Sequence, residues 1–314
     1  MTALVGWLAS ICAYTRPLTP FPGWTFGAVE QHDLGARLRS TLCRLLRARG
    51  RRGTLVIRWY EGLRLRLDLS REMSRIVYET GCYEPNEMAF AAGFLRHGMV
   101  FIDVGANLGL FTLLATRRVG STGTVIAVEP SPREVEDLCA NIALNRIDNV
   151  TVAAAALGEA TGVATLQVAE DEHSGHNTLG SFIYGTKLLA RRDVDVTTLD
   201  DLARQSHLTR LDFVKIDVEG AELSVLRGGR SALQDFRPVL LMELQADSLK
   251  TQGASTAQVL ALLSKAGYEV FSFDAATGTL SASQGPGSST NIVSVPAERR
   301  ADLGALGLLP RLES

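Results

Sequence analysis

The chain has 314 residues, a net charge of −2 and 46% hydrophobic residues, which is enough apolar material for one large domain or two smaller ones. The near-neutral charge gives no electrostatic reason to expect nucleic acid or an anionic membrane as a partner. Four cysteines occur without a C-x-x-C pair, so we expect reduced thiols in a cytoplasmic protein. The apolar stretch 3–14 is too short to span a bilayer, so no integral membrane segment is predicted.

Residues 1–66 differ from the rest and are predicted to form an N-terminal extension. A proline-containing segment is followed by a basic amphipathic helix. Its leucines form one stripe and its arginines surround them: Leu38, Leu42, Leu45 and Leu46, with Arg37, Arg44, Arg47, Arg51 and Arg52. Such a helix could touch an anionic membrane or a partner, or pack on the main domain with its arginines in water. The main domain is expected over residues 67–298, followed by a tail over 299–314.

From residue 100 the pattern alternates between short apolar runs and helix-spaced segments. Strands are predicted over 100–104, 124–128, 150–157, 213–218, 238–243, 268–273 and 291–295. Helices are predicted over 110–118, 222–227 and 256–266, and another begins after Ser131, with Pro132 at its first position and Glu134 completing a capping box. Residues 159–198 contain a weak strand and a polar loop, and interrupt this rhythm.

Alternating strands and helices imply a mostly parallel, doubly wound α/β sheet covered on both faces. No helix is apparent between the last two strands, so they are expected to pair as an antiparallel hairpin. The resulting seven-stranded arrangement resembles the Rossmann-like sheet of class I methyltransferases.

The loop after the first main-sheet strand carries the strongest ligand signal. Its spacing is Asp103-x-Gly105-x-Asn107-x-Gly109, which lacks the G-x-G-x-x-G triplet of a dinucleotide site. An acid ahead of the first glycine would repel pyrophosphate but suits a cationic group, such as the amino group of S-adenosylmethionine (SAM). The two glycines would let the backbone approach the methionine part of that ligand.

Glu129 ends the second strand, twenty residues after Gly109. A carboxylate at this place in a doubly wound sheet can accept two hydrogen bonds from a ribose diol. NAD sites use the same device, so Glu129 favours SAM only in combination with the preceding loop. The competing interpretation is a strand-end charge in water.

Several motifs together resemble the FkbM-type SAM-dependent methyltransferases. They are, in chain order, GCYEPNE, FIDVGANLGLFTL, VEPSP, ALG, TLDDL and VKIDVEGAE. The resemblance covers roughly residues 70–296 and is specific because the motifs agree in order and spacing. It does not cover residues 1–66 or the loop 169–192, so it leaves the acceptor substrate unidentified.

The resemblance implies SAM as the methyl donor and a hydroxyl oxygen as the usual acceptor, often on a sugar or a polyketide-type natural product. It implies that Asp103, Gly105, Asn107 and Gly109 hold the methionine part of SAM and that Glu129 binds the ribose. It further implies that the adenine lies near Ser131, Ala156 and Leu157. It also implies that the reaction centre is faced by Asp217 and Glu219.

An alcohol becomes a good nucleophile only as its proton leaves, so a carboxylate or histidine in reach can act as general base. Asp217 is the first candidate, because the carboxyl end of a parallel strand is where α/β proteins bind ligands. Glu219 and Glu243 follow as catalytic candidates, and the three carboxylates could instead hold Mg²⁺. His173 and His176 could serve as base if their loop closes, or could simply be solvated. Lys215, in the same predicted strand as Asp217, has no assigned role, but its stem could pack while its amine pairs with a neighbouring acid.

The sequence thus predicts a methyltransferase of small-molecule hydroxyl groups, and three alternatives stay open. An amine could be the acceptor, since amines need a base less. A SAM-binding scaffold that no longer catalyses would keep the donor site alone. An NAD-dependent oxidoreductase is disfavoured by the loop spacing. The oligomeric state is open as well, with a homodimer as one candidate.

Overall fold

The computed structural model describes residues 39–41, 43–44, 53–183, 185–275, 278–287 and 289–308. The predicted basic helix lies largely outside these ranges, and so do residues 309–314 of the predicted tail. Within the described ranges, no helix is long and apolar enough to cross a membrane.

Thirteen strands are formed by the described residues, and we number them in chain order. They are β1 (Thr54–Arg58), β2 (Arg64–Asp68), β3 (Val100–Val104), β4 (Thr124–Val128), β5 (Val150–Ala153), β6 (Ala156–Leu157), β7 (Gly162–Ala169), β8 (Leu188–Thr197), β9 (Phe213–Ile216), β10 (Val239–Glu243), β11 (Tyr268–Phe273), β12 (Leu280–Ala282) and β13 (Asn291–Pro296).

The α-helices from residue 53 onward are numbered in the same way. They are α1 (Glu72–Thr80), α2 (Pro85–Phe94), α3 (Leu110–Val119), α4 (Pro132–Leu144), α5 (Leu199–Gln205), α6 (Glu222–Arg227), α7 (Arg230–Asp235), α8 (Ala246–Thr251), α9 (Thr256–Lys265) and α10 (Arg300–Ala305).

The main sheet has the strand order β12-β11-β13-β10-β9-β3-β4-β5. The five strands from β10 to β5 run parallel, and β13, β11 and β12 join antiparallel. The predicted antiparallel pairing of the last two strands is therefore confirmed, with β13 inserted between β10 and β11. The predicted count of seven was wrong by one strand, because β12 has only three residues, Leu-Ser-Ala, whose polarity does not distinguish them from the surrounding loop.

Both faces of the main sheet are buried, as the alternation of side chains along a strand requires. Phe101, Phe213 and Leu241 belong to the hydrophobic cluster on one face. Their strand neighbours Ile102, Val214 and Leu240 belong to the cluster on the other face. This arrangement confirms the doubly wound architecture and explains the nearly continuous apolar runs of the central strands.

Two smaller sheets flank this core. Strands β6, β8 and β7 form a three-stranded sheet from the segment that interrupts the alternation, so the predicted third run 150–157 is divided between two sheets. Strands β1 and β2 form an antiparallel hairpin that crosses the predicted boundary between residues 66 and 67. Arg66 of the hairpin pairs with Asp137 of α4 at 2.8 Å. The division into extension, domain and tail remains a prediction.

Candidate active site

A cavity of about 280 Å³ opens at the carboxyl ends of the central parallel strands. This is the edge where open α/β sheets bind their ligands. Its walls come from the loops after β3, β4, β9 and β10, from the segment before α2, and from the loop between β7 and β8. The lining includes most of the residues singled out in the sequence: Asp103, Gly105, Asn107, Glu129, Ala156, Leu157, Asp217, Glu219 and Glu243.

The two glycines of the β3–α3 loop are required by the backbone itself. Gly105 has φ +83° and Gly109 has φ +95°, a region that side chains strongly disfavour. A Cβ on Gly105 would overlap the carbonyl oxygen of Asp217, and one on Gly109 would lie 2.6 Å from Cδ1 of Leu138. These contacts account for both glycines by close packing of neighbouring segments. The assignment of the loop to a bound methionine moiety therefore needs other support, and it remains a prediction.

Asp103 is the next-to-last residue of β3 and lies inside the protein, with only 1% of its surface exposed. Its Oδ2 atom accepts a hydrogen bond of 2.6 Å from the Thr112 hydroxyl, while Oδ1 has no hydrogen-bond partner. Burial raises the pKa of this carboxyl group, and nearby Lys215 opposes the rise. A buried carboxylate oxygen without a partner, at the wall of a cavity, is suited to a ligand that brings its own donor.

Glu129 follows β4, and its carboxylate organises the loops around it. Its Oε2 atom accepts the backbone N–H of Asn107 at 2.9 Å, and Oε1 accepts the backbone N–H of Ser131 at 2.9 Å. Burial raises the pKa of Glu129 to about 8, and the Glu134 carboxylate adds to this. Each oxygen retains a lone pair for a further donor. The strand-end charge in water considered above is excluded, because Glu129 is buried.

The capping box predicted at the start of α4 was wrong. Ser131 is the N-cap residue, but its hydroxyl makes no capping bond and is buried without a hydrogen-bond partner. Glu134 instead pairs with Arg133 at 2.7 Å, which removes the carboxylate from the helix start. Ala156 and Leu157 line the cavity. Ser131 is not among the described lining residues, and it is connected to the cavity through the hydrogen bond from its backbone N–H to Glu129.

The unpartnered oxygen of Asp103 and the two-oxygen acceptor of Glu129 fit the cationic and hydroxyl ends of SAM, so we refer to this part of the cavity as the donor half. We define the acceptor half as the part lined by Glu84, Lys215, Asp217, Glu219 and Glu243. These residues come from the start of α2, from β9 and the turn after it, and from the end of β10. The structure thus brings the three predicted catalytic carboxylates to one cavity with the donor half.

Burial keeps the acceptor-half glutamates weakly acidic. It raises the pKa of Glu219 to about 9, with Asp217 and Glu243 adding to the shift. It raises the pKa of Glu243 to about 8, with contributions from Asp217 and Glu84. The pKa of Glu84 also rises to about 8, although Lys215 draws it down. These glutamates therefore compete for ionisation at neutral pH.

Lys215 is the central residue of the acceptor half, and the expectation that its amine pairs with a neighbouring acid is confirmed. Its Nζ atom lies 2.7 Å from Oδ2 of Asp217 and 4.0 Å from Oε2 of Glu84. It stands opposite Asp103 in the β3–β9 register, and it sits 4.7 Å from the centre of the Phe111 ring. Burial alone would lower the pKa of Lys215, but the carboxylates of Asp217, Glu84 and Asp103 outweigh it and raise it. A lysine in a buried strand is itself the signal that an ion pair is present.

The β7–β8 loop contributes one histidine to the cavity wall. His176 lines it, and its Nδ1 atom lies 3.3 Å from the Thr186 hydroxyl. Burial lowers the pKa of His176, so its ring is neutral at physiological pH. The ring centre of His173 lies 5.8 Å from that of His176, but His173 is absent from the described lining. Of the two histidines considered as a base, only His176 is placed at the cavity.

The predicted alternative of a Mg²⁺ site gains no support. Among the described residues, no group of three or more His, Cys, Asp or Glu side chains is arranged to hold a metal ion. Glu222 also has a structural explanation: its Oε1 atom accepts the N–H of Gly220 at 3.0 Å and closes the turn after Asp217.

The strand order and the acids at the carboxyl ends of the parallel strands define a class I methyltransferase. Sequence comparison gives the family directly, since the Methyltransferase FkbM domain matches residues 103–270. This match covers more than half of the chain, and the chain belongs to the FkbM methyltransferase family.

Two fungal methyltransferases resemble this chain in sequence. Methyltransferase 1 of Beauveria bassiana is 32% identical over 143 residues, covering 40% of this chain and 57% of the relative. Methyltransferase sdnD of Sordaria araneosa is 30% identical over 156 residues, covering 40% of this chain and 59% of the relative. The aligned regions thus span less than two thirds of each relative. The crystal structure of methyltransferase FkbM from Methylobacillus flagellatus KT aligns with a TM-score of 0.42 and 18% identity, over 70% of this chain and 52% of that one.

Proposed function

We propose that this methyltransferase transfers a methyl group from SAM to a hydroxyl oxygen of a small molecule, of the sugar or polyketide type that the family resemblance implies. One observation carries the proposal: Asp217 lines the same cavity as Asp103 and Glu129. A general base and a donor site on one cavity are what an in-line displacement requires.

In the donor half, Oδ1 of Asp103 would accept from the amino group of SAM, and Glu129 from its ribose hydroxyls. Ala156 and Leu157 would contact the adenine, and Ser131 would support that wall through its N–H bond to Glu129. Gly105, Asn107 and Gly109 would shape the loop around the methionine part. Bound SAM supplies an electrophilic methyl group on its sulfonium.

In the acceptor half, Asp217 would take the proton of the acceptor hydroxyl. The bond from Lys215 Nζ to Oδ2 of Asp217 holds this carboxylate in place, and we assign Oδ1 to the incoming proton. Glu219 and Glu243 are assigned to orient the acceptor. Positioning of the acceptor by hydrogen bonds and removal of its proton contribute separately to the rate of methyl transfer. Proton removal by a general base raises the rate by about 10²–10⁴-fold in typical enzymes.

An amine acceptor is a second candidate, favoured by the surplus of carboxylates over cations in the acceptor half. The two candidates differ in their need for a base, because a neutral amine already carries its nucleophilic lone pair. Asp217→Asn should therefore abolish transfer to oxygen far more than transfer to nitrogen.

Incubation of the protein with methyl-labelled SAM and a metabolite extract, followed by mass spectrometry, tests the proposal. A labelled methyl ether that forms with the wild-type protein and not with Asp217→Asn supports it. A labelled methylamine would establish the second candidate instead. SAM binding in calorimetry with no labelled product from any extract would favour the non-catalytic scaffold.

The proposal also places the reaction in a reducing compartment such as the cytoplasm. Its support is that Cys43, Cys82 and Cys139 are free thiols among the described residues.

A further inference from the structure

The acceptor half of the cavity contains more acidic than basic side chains. Four carboxyl groups line it, on Glu84, Asp217, Glu219 and Glu243, against the single ammonium of Lys215 among the described lining residues. That ammonium is already engaged, since it bonds Asp217 at 2.7 Å and reaches only Glu84 besides, at 4.0 Å. Two carboxyl groups are therefore left without a cation.

Those two groups, Glu219 and Glu243, have only weak neutral partners. Glu219 accepts a 3.4 Å hydrogen bond from the Ser248 hydroxyl, and Glu243 accepts a 3.1 Å bond from the Thr290 hydroxyl. No lysine or arginine of the described residues pairs with either one. Buried carboxylates without a counter-charge are unfavourable, so the arrangement calls for a positive charge from outside the chain.

The cavity has a second feature that points to a ligand. Asp103 is 1% exposed, lines the same space, and keeps its Oδ1 atom without a hydrogen-bond partner. The methionine ammonium of SAM can donate a hydrogen bond to Oδ1 of Asp103. It does not pair with Glu219 and Glu243, because Glu219 lies in the turn after β9 and Glu243 at the end of β10, whereas Asp103 lies in β3, on the opposite side of β9 from β10.

We propose that the acceptor substrate carries a protonated amine next to the hydroxyl that is methylated, as in an amino sugar or an amino polyol. The ammonium lies between Glu219 and Glu243 and donates to both, while the hydroxyl reaches Asp217. The nitrogen is recognised and the oxygen reacts. This inference rests on the proposed function for the role of Asp217.

The same geometry disfavours acceptors with a phosphate or a carboxylate. Such a group would lie beside the Asp217 carboxylate without a counter-charge of its own, because Lys215 is already paired with Asp217 and no other lysine or arginine is among the described lining residues.

Proton uptake and release give an independent signature. Burial and mutual repulsion raise the pKa of Glu219 to about 9 and that of Glu243 to about 8, and the charged neighbours that face them are Asp217, Glu222 and Glu84. Both groups accordingly hold a proton for most of the time at neutral pH. An ammonium that settles between them favours their ionised forms, so its binding releases protons to the buffer, whereas a neutral ligand releases none.

The test uses the full-length protein saturated with S-adenosylhomocysteine and two probes of matched shape. Calorimetry at pH 7.5 compares trans-2-aminocyclohexanol with trans-cyclohexane-1,2-diol, in buffers of different ionisation enthalpy. We expect the amine to bind at least about tenfold more tightly, which corresponds to about 1.4 kcal/mol, and to release protons. Equal affinity of amine and diol, including no measurable binding of either, overturns the proposal.

Variants assign the preference to the two carboxyl groups. In the double variant Glu219→Gln/Glu243→Gln we expect amine and diol to bind alike and proton release to disappear. The control Glu136→Gln/Asp195→Asn removes two charges from exposed positions and should keep the preference. If the double variant is folded, as its unfolding midpoint shows, and still prefers the amine, the proposal is overturned. If the double variant does not fold, the single variants Glu219→Gln and Glu243→Gln provide the same comparison.

Failure of this inference differs from failure of the proposed function. Methyl transfer to neutral polyols and amino polyols with equal kcat/KM would overturn the inference and leave the methyltransferase proposal intact. An amine preference with proton release but no methyl transfer to oxygen would overturn the proposed function and leave the recognition of the amine by Glu219 and Glu243 intact.

Discussion

The ammonium of Lys215, in β9, and the carboxylate of Asp217, just after the end of that strand, form a largely buried ion pair at 2.7 Å. Residues two apart in an extended segment share a face, so both side chains point to the side of the sheet that carries Asp103. Lys215 thereby serves both halves of the cavity, with Asp103 across the register on one side and Asp217 and Glu84 on the other.

Lys215→Met should therefore destabilise the protein by about 3–5 kcal/mol at pH 8, because removal of one partner leaves buried carboxylates without a counter-charge. The cost should shrink at pH 5, where these groups can take up protons. Urea unfolding at the two pH values measures it. Lys265→Met, at the exposed end of α9, is the control and should change little. Similar stability of the Lys215→Met and wild-type proteins at pH 8 would contradict the central role of this pair.

Asp217→Asn should reduce methyl transfer to oxygen by about 10²–10⁴-fold, as expected when a general base is lost. Affinity for S-adenosylhomocysteine should stay within about threefold of wild type, because the donor half is unchanged. Single-turnover assays with labelled SAM and calorimetry separate the two quantities. Near-full activity at saturating acceptor would remove Asp217 from the role of base.

Glu129→Gln should weaken S-adenosylhomocysteine binding by about 10–100-fold. The amide oxygen can accept from only one of the N–H groups of Asn107 and Ser131, and the NH₂ group, which faces the other, cannot accept from that N–H or from a ribose hydroxyl. A lost hydrogen bond to a charged group costs about 1.5–3 kcal/mol. Calorimetry measures the affinity, and Glu136→Gln on the exposed side of α4 is the matched control. Equal affinity of both variants would argue against a ribose contact at Glu129.

Gly105→Ala should destabilise the protein by more than about 2 kcal/mol. Its φ of +83° is strained for alanine, and the new Cβ would overlap the Asp217 carbonyl oxygen. Gly162→Ala is the control, since nothing lies within 4 Å of a Cβ there. Thermal and urea unfolding compare the two variants. A Gly105→Ala protein as stable as the control would show that the β3–α3 loop can move away from β9.

The ligand-free protein should lose stability between pH 7 and pH 9. The pKa of Glu219 is raised from 4.5 to about 9 and that of Glu243 to about 8, so the folded state binds more protons than the unfolded state across this range. Stability then falls as pH rises towards the folded-state pKa values, by about 1–3 kcal/mol over the interval.

Urea unfolding at pH 7, 8 and 9 measures this slope, and the Glu219→Gln/Glu243→Gln variant should reduce it, leaving the part contributed by Glu84 and Glu129, whose pKa values are also raised to about 8. His176 does not interfere in this window, because its lowered pKa confines its contribution to lower pH. A wild-type protein that gains stability over the same range would show that these glutamates are ionised before ligand binds.

The sheet and the strand-end acids could be predicted because each obeys a local rule. Apolar runs of about five residues that end in Asp103, Glu129 or Glu243 show both the strand and its carboxyl end, and parallel strands bring such ends together. The family resemblance supplied the role of Asp217. Strand β12 could not be predicted, because three residues at a sheet edge carry no periodic pattern.

Lys215 and Asp217 are near neighbours in sequence, but the rest of the ion-pair network could not be predicted, because its partners are distant in sequence. Glu84 precedes Lys215 by more than a hundred residues, and only the packing of α2 against the sheet joins them. The capping box does not form because the Glu134 carboxylate accepts a hydrogen bond from Arg133 instead of one from the backbone at the helix start. Local patterns identify elements, whereas contacts between elements decide which charges meet.

Asn291 begins β13, and its side-chain amide donates to Glu84 at 3.2 Å and to Glu87 at 3.0 Å. Its strand enters the sheet between β10 and β11, opposite Glu243 in register. Asn291 thus holds two glutamates, one of them Glu84 of the acceptor half, and it leaves the ribosome nearly two hundred residues after the donor loop. During synthesis, the strands that carry Asp103 and Glu129 are therefore complete well before Asn291 can hold Glu84 in the acceptor half. We expect the acceptor half to take its final form only after β13 has been synthesised.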